Sequence, residues 1–143
     1  MSRHHRDASP LNTEVLLFNK PYQVLSQFTG NPGQKTLAEW VPFRDVYAAG
    51  RLDADSEGLL VLTSNGRLQA TIAHPKHKMP KTYWVQVEGI PTIDALNRLR
   101  AGVDIGDYVT KRCKAKIIDE PTGLWPRYPP IRSRAAIPVT WIE

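Results

Sequence analysis

The run Leu59-Leu60-Val61-Leu62-Thr63 follows directly on the polar stretch Gly50-Arg51-Leu52-Asp53-Ala54-Asp55-Ser56-Glu57-Gly58. A continuous apolar run this short reads as a buried strand, and the stretch before it reads as a loop. Charged residues are therefore delivered onto the end of a sheet, a rigid and partly desolvated place where carboxylate pKa values can be tuned. The rest of the chain has to build a sheet around that strand.

Val15 to Phe18 is an apolar run ended by Asn19-Lys20-Pro21, which predicts a strand stopped by the proline. Val24 to Phe28 is a second candidate, and Thr29-Gly30-Asn31-Pro32-Gly33 has the composition of a turn. Thr36 opens a brief helix through Trp40, closed by Pro42, and Val46 to Ala48 returns to extended chain. Asn65-Gly66 predicts a turn, and Arg67 to Ala73 a short helix that stops before Pro75. Lys81 to Glu88 alternates, with Tyr83, Val85 and Val87 on one face, and predicts a strand. Thr92 caps a helix in which Asp94 suits the positive end of the dipole, Ile93, Leu96 and Leu99 keep the helical period, and Gly102 terminates it. Ala115 to Ile118 and Ala136 to Ile142 are further strands, the last placed at an edge or a bulge by Pro138. Pro121 to Pro130 is too rich in proline and aromatics for regular structure. Strands dominate over three short helices, so the fold class is α+β with a largely antiparallel sheet.

A chain of 143 residues fits one domain. No apolar run approaches the ~20 residues that span a bilayer, and the basic start has no apolar stretch behind it, so residues 1–13 read as a disordered leader and not as a secretory signal. The single cysteine, Cys113, excludes an internal disulfide and suits a reducing cytoplasm. His74 and His77 lack further metal-ligand partners, so no metal site is expected. The charge is uneven. Residues 1–73 carry seven Lys/Arg against seven Asp/Glu, while residues 74–143 carry twelve against seven, which supplies the whole net +5. The excess falls in Lys76, Lys78 and Lys81, in Lys111, Arg112, Lys114 and Lys116, and in Arg127, Arg132 and Arg134. Such clusters suit a polyanion, because each phosphate neutralised releases counterions, and they equally suit a solvated surface.

The acidic loop admits three chemical readings from its residue types. Asp53-x-Asp55-x-Glu57-Gly58 imitates the start of a calcium loop, but Ser64 stands where the closing bidentate glutamate belongs. Paired carboxylates could serve glycoside hydrolysis, although one local cluster does not easily flank both sides of a sugar bond. Arg51 and the acids could also form a surface ion-pair network of little energetic weight.

Gly-Arg-Leu-Asp-x-x-Ser-x-Gly-Leu-Leu-x-Leu-Thr-x-x-Gly over Gly50–Gly66 resembles the signature of the pseudouridine synthases that modify ribosomal RNA, in the RsuA-like branch. Asn19-Lys20-Pro21 is similar to that family's opening strand motif, and His74-Pro75 with Lys81-Thr82-Tyr83-Trp84-Val85 to its second motif. Leu124-Trp125-Pro126-Arg127 and Pro130-Ile131-Arg132 are similar to members acting on the large ribosomal subunit. The resemblance covers nearly everything after residue 14. It implies a pseudouridine synthase catalytic domain over residues 14–143, with short helices on a mixed sheet and a central RNA-binding cleft. It implies that Asp53 is the catalytic aspartate, acting either by attack on the sugar or by removal of its 2′ proton, while uracil is detached from C1′, turned and rejoined through C5. Arg51 is the arginine expected to occupy the space left by the extruded base, and Tyr83 the tyrosine that stacks on it. By its position on the strand, Tyr83 also reads as a core aromatic beside Val85 and Val87.

A uridine inside a stem has to be flipped out at a cost of a few kcal/mol. Lys20, Lys76, Lys78, Arg127 and Arg132 are the candidate RNA contacts that offset this cost, with Lys20 read as a phosphate contact or a solvated lysine. The isomerisation conserves bonds and redox state, so no cofactor is expected. The partner implied is large-subunit ribosomal RNA, bound by a monomer. The resemblance departs from the family at the end of the chain. Members run on from the strand at Val139–Ile142 into an arginine-rich motif that supplies a basic partner for the aspartate, so the domain is expected to be C-terminally incomplete. A catalytically dead RNA-binding module is the competing reading, and release of label from C5-tritiated uridine separates the two.

Overall fold

The structure is a computed structural model that describes Ser9–Pro10 and residues 15–143. The leader expected over residues 1–13 lies outside the described residues, apart from Ser9–Pro10, which form a two-residue strand, β1. The chain divides into two compact units, Met1–Met79 and Pro80–Glu143.

The remaining strands of the first unit are β2 (Val15–Lys20), β3 (Val24–Leu25), β4 (Lys35–Thr36), β5 (Phe43–Arg44), β6 (Tyr47–Ala48) and β7 (Gly58–Thr63). The run read as a buried strand is β7, and it lies between β2 and β6 with both pairings antiparallel. The β2–β7 register runs from Val15 opposite Thr63 to Lys20 opposite Gly58, so the end of β2 meets the start of β7 where the acidic loop arrives. Two short parallel pairs, β1 with β5 and β3 with β4, complete the pairing. Leu60 and Leu62 pack with Val24, Leu37, Val41 and Val46, and Leu16, Phe18, Phe28 and Leu52 lie against this cluster.

Burial in β7 corrects the sequence reading. Leu59 was expected in the core but is 67% exposed, as is Leu17 of β2 at 68%. Side chains alternate across a strand, so Leu60 and Leu62 take the packed face and Leu59 the other. The second strand is also shorter than Val24 to Phe28, because its parallel partner β4 supplies only two register positions. Thr36 caps the short 3-10 helix Leu37–Glu39 by accepting from the Ala38 N–H. Asn65, expected in a turn, instead caps helix α1 (Gly66–Ala73), its side-chain oxygen accepting from the N–H groups of Arg67 and Leu68, each at 3.0 Å. A second 3-10 helix, Pro75–His77, follows directly.

The second unit holds β8 (Val85–Glu88), helix α2 (Ile93–Ala101), β9 (Ile117–Ile118) and β10 (Val139–Ile142). Thr92 caps α2, its hydroxyl accepting from Ala95 N at 3.1 Å, and Gly102 ends it at φ 113°, a conformation that costs glycine little. Only Leu96 of the helix is buried; Ile93 is exposed. The sheet order is β8-β10-β9, all antiparallel. Two expectations fail here. β10 is the central strand and not an edge, because Pro138 sits just before it and needs no N–H there, while its carbonyl accepts from Gly89 N at 2.7 Å. The alternating stretch from Lys81 is strand only from Val85, because a strand forms where a neighbour supplies hydrogen bonds. The β10–β8 register ends with Ile142 opposite Val85, while on the other side of β10 the β9 pairing runs on to Glu143 with Lys116. Antiparallel sheets and short helices make the α+β class expected from the pattern.

Candidate active site

The acidic loop is bracketed by two glycines with left-handed backbone, Gly50 at φ 91° and Gly58 at φ 112°. A side chain at either position would strain the backbone, so these two residues set where the loop leaves and rejoins the sheet. Between them, Asp53 to Ser56 form a turn in which the Asp53 carbonyl accepts from Ser56 N at 3.0 Å, with the aspartate in the first position that such turns favour.

The segment at the end of β2 and through β3 ties down this loop residue by residue. Ser26 is buried, and its hydroxyl donates to the Leu52 carbonyl at 2.8 Å while accepting from Leu52 N at 3.0 Å. The Ala54 carbonyl accepts from Gln23 N at 2.6 Å and from the Lys20 ammonium at 3.3 Å. Arg51 donates through Nη2 to Gln27 Oε1 at 2.7 Å. Arg51, Leu52 and Ala54 are thus held on both sides of Asp53. Asp53 and Asp55 are exposed and Glu57 is half-buried, so the expected desolvation of the carboxylates is not met at Asp53. The reason is that the loop turns backbone groups toward the sheet and leaves these two side chains outward.

Lys20 is the largest correction among the site residues. It was expected at the surface as a phosphate contact or a solvated lysine, yet it has no exposure, and its ammonium donates to the carbonyls of Pro21 and Val24, both at 2.8 Å, as well as to Ala54. Burial pushes its pKa below the ordinary lysine value of 10.5, opposed by the negative charges of Glu57, then Asp55, then Asp53. A buried ammonium needs hydrogen-bonded partners and nearby negative charge to stay tolerable. Lys20 meets that need by pinning the loop from beneath. The signal was present in the chain: Leu16, Phe18 and Lys20 share one face of β2 at a period of two. Ser26 and Gln27 were missed altogether. Their contacts reach across 26 and 24 positions of chain, and no local pattern announces such a pairing.

The other expected site residues are placed as follows. Lys76 and Lys78 are exposed around the 3-10 turn Pro75–His77, where His74 Nδ1 accepts from Lys76 N at 3.2 Å and Lys78 adopts the left-handed conformation. In the second unit Tyr83 is 49% exposed, which excludes the core-aromatic reading. Arg127 is half-buried and donates through Nε to the Pro129 carbonyl at 2.8 Å, and Arg132 is exposed. Two further members of the basic clusters have acidic partners: Lys116 with Glu143 at 3.0 Å and Arg134 with Glu88 at 3.2 Å. Chemically, the first unit offers an aspartate and an arginine on an anchored loop, with a buried cation below them.

The family profile of RNA pseudouridylate synthases matches residues 14–123. The chain is 57% identical over 131 residues to the ribosomal large subunit pseudouridine synthase E of Vibrio parahaemolyticus, covering 92% of this chain and 55% of that relative. It is 52% identical over 131 residues to the protein of the same name from Xanthomonas axonopodis, covering 90% and 69%. Among solved structures, the crystal structure of a pseudouridylate synthase superposes with a TM-score of 0.65 at 27% identity, over 74% of this chain and 47% of that one. The chain belongs to the RNA pseudouridylate synthase family. It spans about half the length of the Vibrio relative.

Proposed function

We propose that this chain carries the catalytic aspartate of a pseudouridine synthase acting on a uridine of large-subunit ribosomal RNA. The observation that carries the reading is Asp53, exposed on a turn whose neighbours on both sides are hydrogen-bonded into the fold, in the loop that bears the family resemblance. The N1–C1′ bond breaks with help from the Asp53 carboxylate, either as nucleophile at the sugar or as base for the 2′ proton. The uracil turns, C5 bonds to C1′ as the Asp53–C1′ bond breaks or the 2′ proton is returned, the C5 proton leaves and N1 gains a proton, so no redox equivalent or added group is required. Arg51 fills the space that the extruded base vacates, and Tyr83 stacks on the base. Lys76, Lys78, Arg127 and Arg132 hold phosphates. Lys20 is not among these contacts, because its ammonium is spent on three carbonyls inside the fold. The protein works as a cytoplasmic monomer.

The test is incubation with ribosomal RNA carrying uridine tritiated at C5. Isomerisation releases the label to water stoichiometrically with pseudouridine formed. RNA binding without any release would make the chain a binding module that has kept the fold.

A further inference from the structure

The Arg51 guanidinium is exposed, and a free arginine side chain samples many rotamers at an entropic cost of about 2 kcal/mol to fix. Here it is not free. Its Nη2 donates to Gln27 Oε1 at 2.7 Å, the short distance of a charge-assisted bond. Gln27 is itself secured at both ends. Its side-chain Nε2 donates to the Thr29 carbonyl at 2.6 Å, which commits the amide nitrogen away from the arginine and turns the oxygen toward it. Its backbone carbonyl accepts from Leu37 N at 2.9 Å, and Leu37 is fully buried in the core of the first unit. A continuous hydrogen-bonded path therefore leads from the core through Gln27 to the cation two residues ahead of Asp53.

We propose that Gln27 is a positioning residue that presets the Arg51 guanidinium for the extruded-base step, an inference that rests on the isomerase reading. Arg51 held in one rotamer enters the vacated space without first being ordered, so its contribution falls on the step from bound RNA to flipped-out uridine. Affinity for RNA, set by phosphate contacts elsewhere, is left nearly unchanged. Gln27→Ala then lowers kcat about tenfold while KM moves less than about twofold, the size expected for losing one hydrogen bond to a charged group. Gln27→Glu keeps an acceptor for the guanidinium and recovers most of that loss.

The test is a double-mutant cycle with Arg51→Ala, read by tritium release, alongside ¹⁵N relaxation of the Arg51 Nε–Hε group in the free protein. If Gln27 acts through Arg51, then Gln27→Ala mobilises the arginine and adds no further loss of turnover in the Arg51→Ala background. An equal loss in both backgrounds, or an arginine as ordered in Gln27→Ala as in the parent, overturns the proposal. Should Gln27→Ala not fold, Gln27→Glu carries the same two readouts, and an Arg51 that is disordered in it is equally fatal. The absence of tritium release from the parent protein would sink the isomerase reading instead, and the relaxation measurement would still decide whether Gln27 orders Arg51.

Discussion

Around Asp53 the first unit ties its candidate site residues from beneath, through Lys20, Gln23, Ser26 and Gln27, over a cluster in which Leu37 and Leu62 have no exposure at all. The second unit leaves candidate contacts outward: Tyr83, just ahead of β8, is about half exposed and Arg132 is exposed, while Leu96, Ala115 and Trp141 are its buried apolar residues. Under the proposed function, the anchored loop and the exposed contacts, Lys76 and Lys78 of the first unit among them, suit two kinds of work. Bond making at one carbon needs atoms held to fractions of an ångström, and that demands hydrogen bonds anchored in a core. Holding a polyanion needs charge at the surface, where long side chains can follow the phosphates without a fixed pose.

The comparison breaks most readily at the core. Leu62→Ala is expected to destabilise the first unit by about 2–5 kcal/mol, whereas Leu59→Ala three positions away costs about 0.5 kcal/mol or less, both read by urea titration. Equal costs would mean that β7 is covered on both faces. Next in size is Lys20→Met, which removes the ammonium from the Pro21, Val24 and Ala54 carbonyls, the last of which keeps its bond from Gln23 N, and costs about 1–3 kcal/mol at neutral pH. This variant also carries a pH signature. The folded-state value of Lys20 lies below 10.5, so between that lowered value and 10.5 the unfolded chain binds more protons than the folded one. The parent therefore gains stability over Lys20→Met as pH rises toward 10.5, and loses that gain as pH falls through the folded value. A difference that stays flat through this window contradicts the buried ammonium.

The surface side of the comparison is sharpened by salt. Ribosomal RNA affinity should fall steeply with ionic strength, and neutralising Lys76, Lys78, Arg127 and Arg132 together should flatten the log–log slope by up to about 3.6, at roughly 0.7–0.9 per phosphate contact. An unchanged slope would mark these residues as solvated surface. The smallest effect belongs to Glu143, whose carboxylate accepts from Trp84 Nε1 at 3.1 Å and pairs with Lys116. These contacts hold its pKa below the ordinary 4.5, so their stabilisation is present above 4.5 and lost as pH falls through the lowered value. Glu143→Gln should shift the melting temperature only slightly at pH 7 and not at all in high salt, as expected of an exposed pair.

Local chemistry made much of this legible in the chain. Thr92 and Gly102 delimit α2, and Thr36 with Trp40 the first 3-10 helix, because caps act within a turn. The Gly50–Gly58 loop was readable because its two glycines and its apolar exit are contiguous. What escaped depended on partners distant in the chain. Lys81 to Trp84 alternates like a strand but lacks register partners in β10; Pro138 reads as an edge marker although it lies just outside a central strand. Ser26 and Gln27 carry no local signature of their grip on Leu52 and Arg51. Lys20 was legible in the period of β2 and was misread because lysine is so seldom buried.

The most direct test of the account is Asp53→Asn, compared with the parent protein for tritium release from C5-labelled ribosomal RNA and for RNA affinity at the same salt. Asparagine keeps the size and the favoured turn position but can neither attack the sugar nor take its 2′ proton. The account predicts that release disappears while affinity stays within a few fold, because binding rests on the basic surface and chemistry on one carboxylate. Release at a near-parental rate from Asp53→Asn would contradict it.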